Sequence, residues 1–154
     1  MSNEIFREIE LELTLLHRLF TTFSSDIEKY RESDPSEFDL GALGSILNAF
    51  YNGIEKIFIR IASKYDGHPV KSDIWHIELL EMMMESNTKR PAVISKELKA
   101  RLQNYLSFRH VFKHIYTFDL QWHKMKDVLL SSEETLHLLE AELQVFMDAI
   151  SNNI

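Results

Sequence analysis

Apolar side chains recur every three or four residues through the first thirty positions of this 154-residue chain. That spacing places them on one face of an α-helix, which has 3.6 residues per turn. The positions are Ile5, Ile9, Leu13, Leu16, Phe20, Phe23, Ile27 and Tyr30. The pattern therefore predicts a first amphipathic helix of about eight turns, which must bury its apolar face against other elements. Turn-forming residues at 32–36 end it, and we expect Ser36 or Asp39 to cap the next helix.

The rest of the chain repeats this spacing, and Gly67 and the three prolines, Pro35, Pro69 and Pro91, fall where the pattern breaks. Four more helices are predicted: Phe38–Tyr65, a short one from Ser72 to Ser86, one that follows Ser95, and a last one over Asp119–Ala149. We therefore predict an all-α protein, an up-and-down bundle of four to five helices in a single domain spanning residues 1–154. Helices of some thirty residues would extend about 45 Å, more than one small core covers, which favours a homodimer.

Composition excludes several classes of protein. Apolar residues make up 45% of the chain, so disorder is not expected, and no run of about 18 apolar residues predicts a membrane span. The acidic start is unlike a secretory signal, so we expect a soluble cytoplasmic protein without a membrane partner. Because cysteine is absent, disulfides, thiolate nucleophiles and cysteine zinc sites are excluded.

The formal net charge of −7 argues against a protein that coats nucleic acid non-specifically, since phosphate contacts need a basic surface. A nucleic-acid substrate would require a local basic patch. The densest candidate comprises Arg101, Arg109, His110, Lys113 and His114.

The stretch 108–116 concentrates basic, proton-transferring and hydroxyl side chains among bulky apolar neighbours. Arg109 and His114 are five residues apart, which on an unbroken helix separates them by about 140°. For both to reach one phosphate, the helix must end near His114, or a second subunit must supply one of them. We expect the helix to end between His114 and Thr117, because Asp119 resembles the cap of a new helix. Arg109, Lys113 and Tyr116 are predicted to share one helical face, and His110 and His114 another.

These residue types suit the cleavage of RNA without a metal. The planar arginine fork can hold two phosphate oxygens, and histidine exchanges protons near neutral pH. A histidine could assist attack by the ribose 2′-hydroxyl or protonate the leaving 5′-oxygen, while arginine stabilises charge that develops at phosphorus.

Other interpretations of these residues stay open. Arg109 could pair with acids of the first helix, His110 and His114 could be ordinary core or surface histidines, and Tyr116 a packing residue. The two histidines also have the four-residue spacing of a metal pair, but no carboxylate ligand lies nearby in sequence. Three further groups are given structural interpretations. Trp75 and His76 are predicted to belong to a core helix, and His68 to a loop. Residues 131–134 are predicted to form a solvated kink or a helix restart, and their serines are not predicted to be active-site residues.

The stretch Arg109–Tyr116 resembles the HEPN ribonuclease toxins, in particular their HepT-like branch, whose signature is RxxxxHxY. Arg109 matches the signature arginine, His110 the polar position after it, His114 the histidine and Tyr116 the tyrosine. Residues 52–57 and 72–76 also look like that branch, so the similarity extends over about residues 40–129. Lys113 stands where the family often has arginine.

The resemblance implies a homodimeric, metal-independent endoribonuclease without a cofactor. Arg109 and His114 of both subunits would line a cleft and act in catalysis, with His110 and Lys113 supporting substrate. It also implies a cognate minimal nucleotidyltransferase antitoxin, which neutralises the toxin by transferring AMP from ATP onto Tyr116. Family members are linked to both mRNA and tRNA cleavage. The alternative is a non-catalytic helical partner that binds and regulates a nucleotidyltransferase.

Overall fold

The computed structural model describes residues 2–67 and 72–153 as a set of six α-helices joined by short connections. The helices are α1 (Ser2–Glu28), α2 (Glu37–Ile61), α3 (Trp75–Met84), α4 (Lys96–His114), α5 (Trp122–Leu130) and α6 (Ser132–Asn152). Short 3-10 turns follow α1 at Lys29–Arg31 and precede α5 at Thr117–Asp119, and a π-helical turn, Ala62–Asp66, extends α2. The predicted all-α class is confirmed.

Four long helices form a closed ring of contacts around the core. α1 packs against α2, α2 against α4, α4 against α6, and α6 returns to α1. Phe50 of α2 lies near the centre, where its ring meets Phe20 and Tyr105 edge to face, each at a centroid distance of 5.3 Å. α3 packs across α2 and α4. No helix in the described part of the chain combines the length and the apolar character needed to cross a membrane.

Serine residues cap the N-termini of α2 and α4. The Ser36 hydroxyl accepts the backbone N–H of Asp39 at 3.1 Å, and that of Ser95 accepts the N–H of Leu98 at 3.1 Å. Ser36 is thus the cap of α2. The Asp39 carboxylate instead accepts the hydroxyl of Tyr30, and this hydrogen bond raises the pKa of that phenol.

The last predicted helix is two helices, so the predicted count of four to five was too low. Asp119 lies in a 3-10 turn and does not cap α5, which begins at Trp122. The predicted restart is present, because α5 ends before Ser131 and α6 begins after it. Ser132 is nevertheless buried rather than solvated, and its hydroxyl donates to the carbonyl of Leu129 at 2.6 Å.

A buried arginine fixes α3 against the end of α2. Arg90 donates to both carboxylate oxygens of Asp66, at 2.9 and 2.8 Å, and to the carbonyls of Met82 and Glu85. α2 and its π-turn end as predicted near Gly67, whose φ of 88° suits glycine. The loop prediction for His68 lies outside the described residues. Because Arg90 ties Asp66, at the end of α2, to the C-terminal end of α3, it holds α3 beside α2.

Candidate functional site

A cavity of about 520 Å³ lies between α3 and the C-terminal half of α4. Four of the predicted site residues line it: Arg109, His110, Lys113 and His114. The opposite wall comes from α3 and the residues just before it: Asp73, Ile74, His76 and Ile77. Cationic and imidazole side chains therefore line the same cavity, together with one acidic residue, Asp73.

The end of α4 explains how Arg109 and His114 reach the same cavity. α4 stops at His114, and Ile115 is extended with φ −126° and ψ 162°. This confirms the predicted helix end. The rings of His110 and His114 meet edge to face at a centroid distance of 4.5 Å, so they share a face as predicted. Both histidines and Lys113 are exposed, whereas Arg109 is buried.

The Arg109 guanidinium is held by the carboxylate of Glu55. Its Nη1 donates to Oε1 of Glu55 at 2.7 Å, and the same nitrogen lies 3.2 Å from Nδ1 of His76. Nε is buried and has no hydrogen-bond partner among the described residues. Arg109 does pair with an acid, but this acid belongs to α2 and not to the first helix, so that version of the alternative interpretation was wrong.

Glu55 and His76 are site residues that sequence reasoning missed. Oε2 of Glu55 lies 2.6 Å from Nδ1 of His76, so one buried carboxylate bridges an arginine and a histidine. The signal for Glu55 was its position among apolar residues of α2, since a buried carboxylate needs partners. His76 was predicted to belong to a core helix. Leu79 and Leu80 do enter the core, but His76 is half-buried and lines the cavity.

Tyr51 lies close to this ionic group and stays neutral. Burial raises the pKa of its hydroxyl strongly, and the negative charge of Glu55 raises it further, while Arg109 acts in the opposite direction. The phenol is therefore not a proton acceptor at physiological pH.

Tyr116 lies apart from the cavity wall. Because α4 ends at His114, Tyr116 does not continue the helical face of Arg109 and Lys113, and that prediction was wrong. The ring is 72% exposed and stacks parallel to the exposed Phe118 at a centroid distance of 5.2 Å. The other four tyrosines, Tyr30, Tyr51, Tyr65 and Tyr105, are buried or half-buried. Tyr116 is thus the tyrosine most open to a modifying enzyme.

A family model described as HepT-like protein matches residues 42–150. The chain belongs to the HepT-like family. The matched range contains Glu55, His76 and the whole of α4, so it covers every wall of the cavity. No curated protein and no solved structure matches the chain significantly.

Two further sequence-based interpretations of this HepT-like chain concern Arg101 and metal binding. Arg101 does not join the predicted basic patch, because its Nη1 lies 3.7 Å from Glu134 and 3.3 Å from the Thr135 hydroxyl, both on α6. Within residues 2–67 and 72–153, no three His, Asp or Glu side chains are arranged to hold a metal ion. The roles of Arg109, His110, Lys113, His114 and Tyr116 stay predictions.

Proposed function

We propose that this HepT-like protein is a metal-independent endoribonuclease, the toxin of a toxin–antitoxin pair. The observation that carries the proposal is the cavity at the end of α4, which Arg109 and His114 line together. Membership of the HepT-like family supports a toxin-like protein. The substrate would be mRNA or tRNA.

The chemistry of the cavity fits a phosphodiester substrate. Arg109 would stabilise charge at phosphorus, since a preorganised guanidinium acts strongly where water is excluded. His114 is exposed at the helix end and would exchange a proton with substrate oxygen. Lys113 and His110 are exposed on the same wall and would hold neighbouring phosphates.

We propose that the active form is a homodimer with a cleft between its subunits. Ile74 and Ile77, on the cavity wall, are 53% and 40% exposed. Val111, near the end of α4, and Ile115, just after it, are 46% and 37% exposed. These four residues, here called the rim patch, would be covered by a second copy. Such a partner would bring a second Arg109 and His114 toward the same cleft.

AMP transfer onto Tyr116 by a cognate minimal nucleotidyltransferase antitoxin would neutralise the enzyme. Tyr116 is 72% exposed and stands two residues after His114. The added phosphate and adenosine would place negative charge and bulk beside the cavity, so RNA phosphate would be repelled and obstructed.

Cleavage of total RNA and tRNA by the purified protein in EDTA tests the proposal. Wild-type protein is expected to cleave, and His114→Ala to be inactive, because it removes the proton-transferring group. This exposed side chain contributes little to stability, so His114→Ala should stay folded. His123→Ala, which removes an exposed histidine of α5, is the matched control and should stay active. A wild-type protein as inert as His114→Ala would contradict the proposal.

A second candidate is a non-catalytic partner that binds and regulates the nucleotidyltransferase. The pairing of Arg109 with Glu55 favours it, because a compensated guanidinium attracts phosphate less strongly. This candidate predicts that toxicity and partner binding are unchanged in His114→Ala. The exposed Tyr116 and Phe118 would then be part of the binding surface.

A further inference from the structure

We propose that His76, held by Glu55, is a second proton-transfer residue of the cavity and acts as the general base. It would take the proton of the ribose 2′-hydroxyl, while His114 would protonate the leaving oxygen. This inference rests on the proposed RNA cleavage and adds a second catalytic residue to it. Both imidazoles line the same cavity, His76 from α3 and His114 from α4.

The geometry assigns the proton on the His76 ring. Nδ1 is 2.6 Å from Oε2 of Glu55 and 3.2 Å from Nη1 of Arg109. If Nδ1 carried no proton, two acceptor lone pairs would face each other at the shorter distance. The other oxygen of Glu55, Oε1, already accepts a hydrogen bond from Nη1 of Arg109 at 2.7 Å. The proton therefore lies on Nδ1 and is donated to Glu55, which leaves Nε2 as an acceptor.

The surroundings of His76 favour a base that gains a proton during the reaction. A carboxylate at Nδ1 fixes the tautomer and stabilises the imidazolium that forms, as in catalytic triads. Glu55 is 5% exposed, so little water weakens this interaction. The ring of Trp75 lies 3.5 Å from that of His76, centroid to centroid, and restricts its rotation.

The reaction balances with the residues of the cavity alone. The 2′-oxygen forms a bond to phosphorus as its proton passes to Nε2 of His76, and the bond from phosphorus to the 5′-oxygen breaks. The 5′-oxygen keeps that electron pair and takes a proton from the protonated His114. The products are a 2′,3′-cyclic phosphate and a 5′-hydroxyl, and exchange with water resets both imidazoles.

His76→Asn tests the base, with His17→Asn as the matched control. The asparagine amide can still donate to Glu55 but cannot accept a proton. His17 also forms a histidine–carboxylate pair, 2.8 Å from Glu140, away from the cavity lining. We expect His76→Asn to lower kcat by about 10²- to 10⁴-fold with little change in KM, and His17→Asn to leave both unchanged.

A substrate with sulfur in place of the 5′-oxygen at the mapped cleavage site distinguishes base from acid. Sulfur leaves without protonation, so this substrate should restore most of the rate of His114→Ala and none of the rate of His76→Asn. The wild-type pH–rate profile on normal RNA should be bell-shaped and should lose its alkaline limb on the sulfur substrate. That profile decides the question even if His76→Asn folds poorly, because it uses the wild-type enzyme.

The outcomes separate this inference from the proposed function. A wild-type protein that cleaves no RNA overturns both. Cleavage by the wild-type protein together with full activity of folded His76→Asn overturns the inference alone. Rescue of His76→Asn by the 5′-sulfur, or a wild-type profile with a single ionisation, also overturns the assignment of His76 as the base.

Discussion

Arg109 carries a buried positive charge whose balance depends on one carboxylate. Arg109→Ala leaves Glu55 buried and without its arginine, 5% exposed beneath the cavity. We expect the free energy of unfolding to fall by about 3–5 kcal/mol, because breaking one side of a buried ion pair strands the other charge. Urea denaturation followed by circular dichroism measures this loss.

The double variant Arg109→Met with Glu55→Gln is the control for stranded charge. It removes both charges at similar volume, so it should recover most of the lost stability while staying inactive on RNA. A double variant no more stable than Arg109→Ala would show that lost packing, rather than the unpaired carboxylate, causes the destabilisation. Activity assays of Arg109 variants therefore need this comparison beside them.

Tyr116 is predicted to accept AMP when the cognate nucleotidyltransferase and ATP are present. The expected result is a mass gain of one or more AMP units located to the peptide that contains Tyr116, together with loss of RNA cleavage. Tyr116→Phe should escape modification and stay active. Phe118→Ala, which removes the stacked neighbour but keeps the hydroxyl, is the matched control and should still be modified. Equal modification of Tyr116→Phe would contradict the site.

The sequence identified Arg109 and His114 but not Glu55 and His76, the two residues that contact Arg109. Arg109 and His114 were found because they lie within one short stretch of unusual composition. Glu55 and His76 are 54 and 33 positions from Arg109, so their proximity depends on how α2 and α3 pack against α4. A single acid on an apolar face predicts a buried ion pair, but it does not identify the partner.

At the scale of helices, α2 and α4 approach closely at Gly44. A Cβ added there would lie 2.7 Å from Cε1 of Phe112, two residues before His114. We expect Gly44→Ala to lower the melting temperature, because overpacking costs about 1–3 kcal/mol and exceeds the gain of about 1 kcal/mol in helix propensity. RNA cleavage should fall as well, since Phe112 must shift the end of α4.

Gly41→Ala, one turn earlier on α2, is the matched control for Gly44→Ala. Its Cβ would meet an exposed methyl group of Thr117 at 3.0 Å, and that turn has room to adjust. We expect its melting temperature to be unchanged or slightly higher. If both variants melt alike, the close approach at Phe112 does not control the packing of α2 against α4.

The two serine-capped helix starts were predicted directly, whereas the restart near Ser131 was predicted only as one of two interpretations of 131–134. Ser36 and Ser95 cap their helices through hydrogen bonds within one turn, so the local sequence contains the necessary signal. The boundary between α5 and α6 is different, since the apolar spacing continues from Leu129 to Leu136 across it. At the break, the hydroxyls of Ser131 and Ser132 donate to the carbonyls of Asp127 and Leu129. The hydroxyl of Tyr105, on α4, also donates to the carbonyl of Val128 just before the break, a tertiary contact that the local sequence does not reveal.

At the scale of the whole molecule, the rim patch predicts where two copies meet. We expect the wild-type protein to be a dimer by light scattering, and Val111→Asp to be a monomer, because an unpaired charge buried in an interface is strongly unfavourable. Val145→Asp is the matched control. Val145 is 69% exposed on α6, away from the cavity lining, and its replacement should leave the dimer intact.

The same pair of variants shows whether the cleft needs both copies. If each copy contributes Arg109 and His114 to one groove, monomeric Val111→Asp should lose RNA cleavage although its own cavity is unchanged. Mixing Val111→Asp with an excess of His114→Ala should then restore no activity. A dimeric Val111→Asp would place the interface elsewhere, and a fully active monomer would show that one set of the cavity residues is sufficient for cleavage.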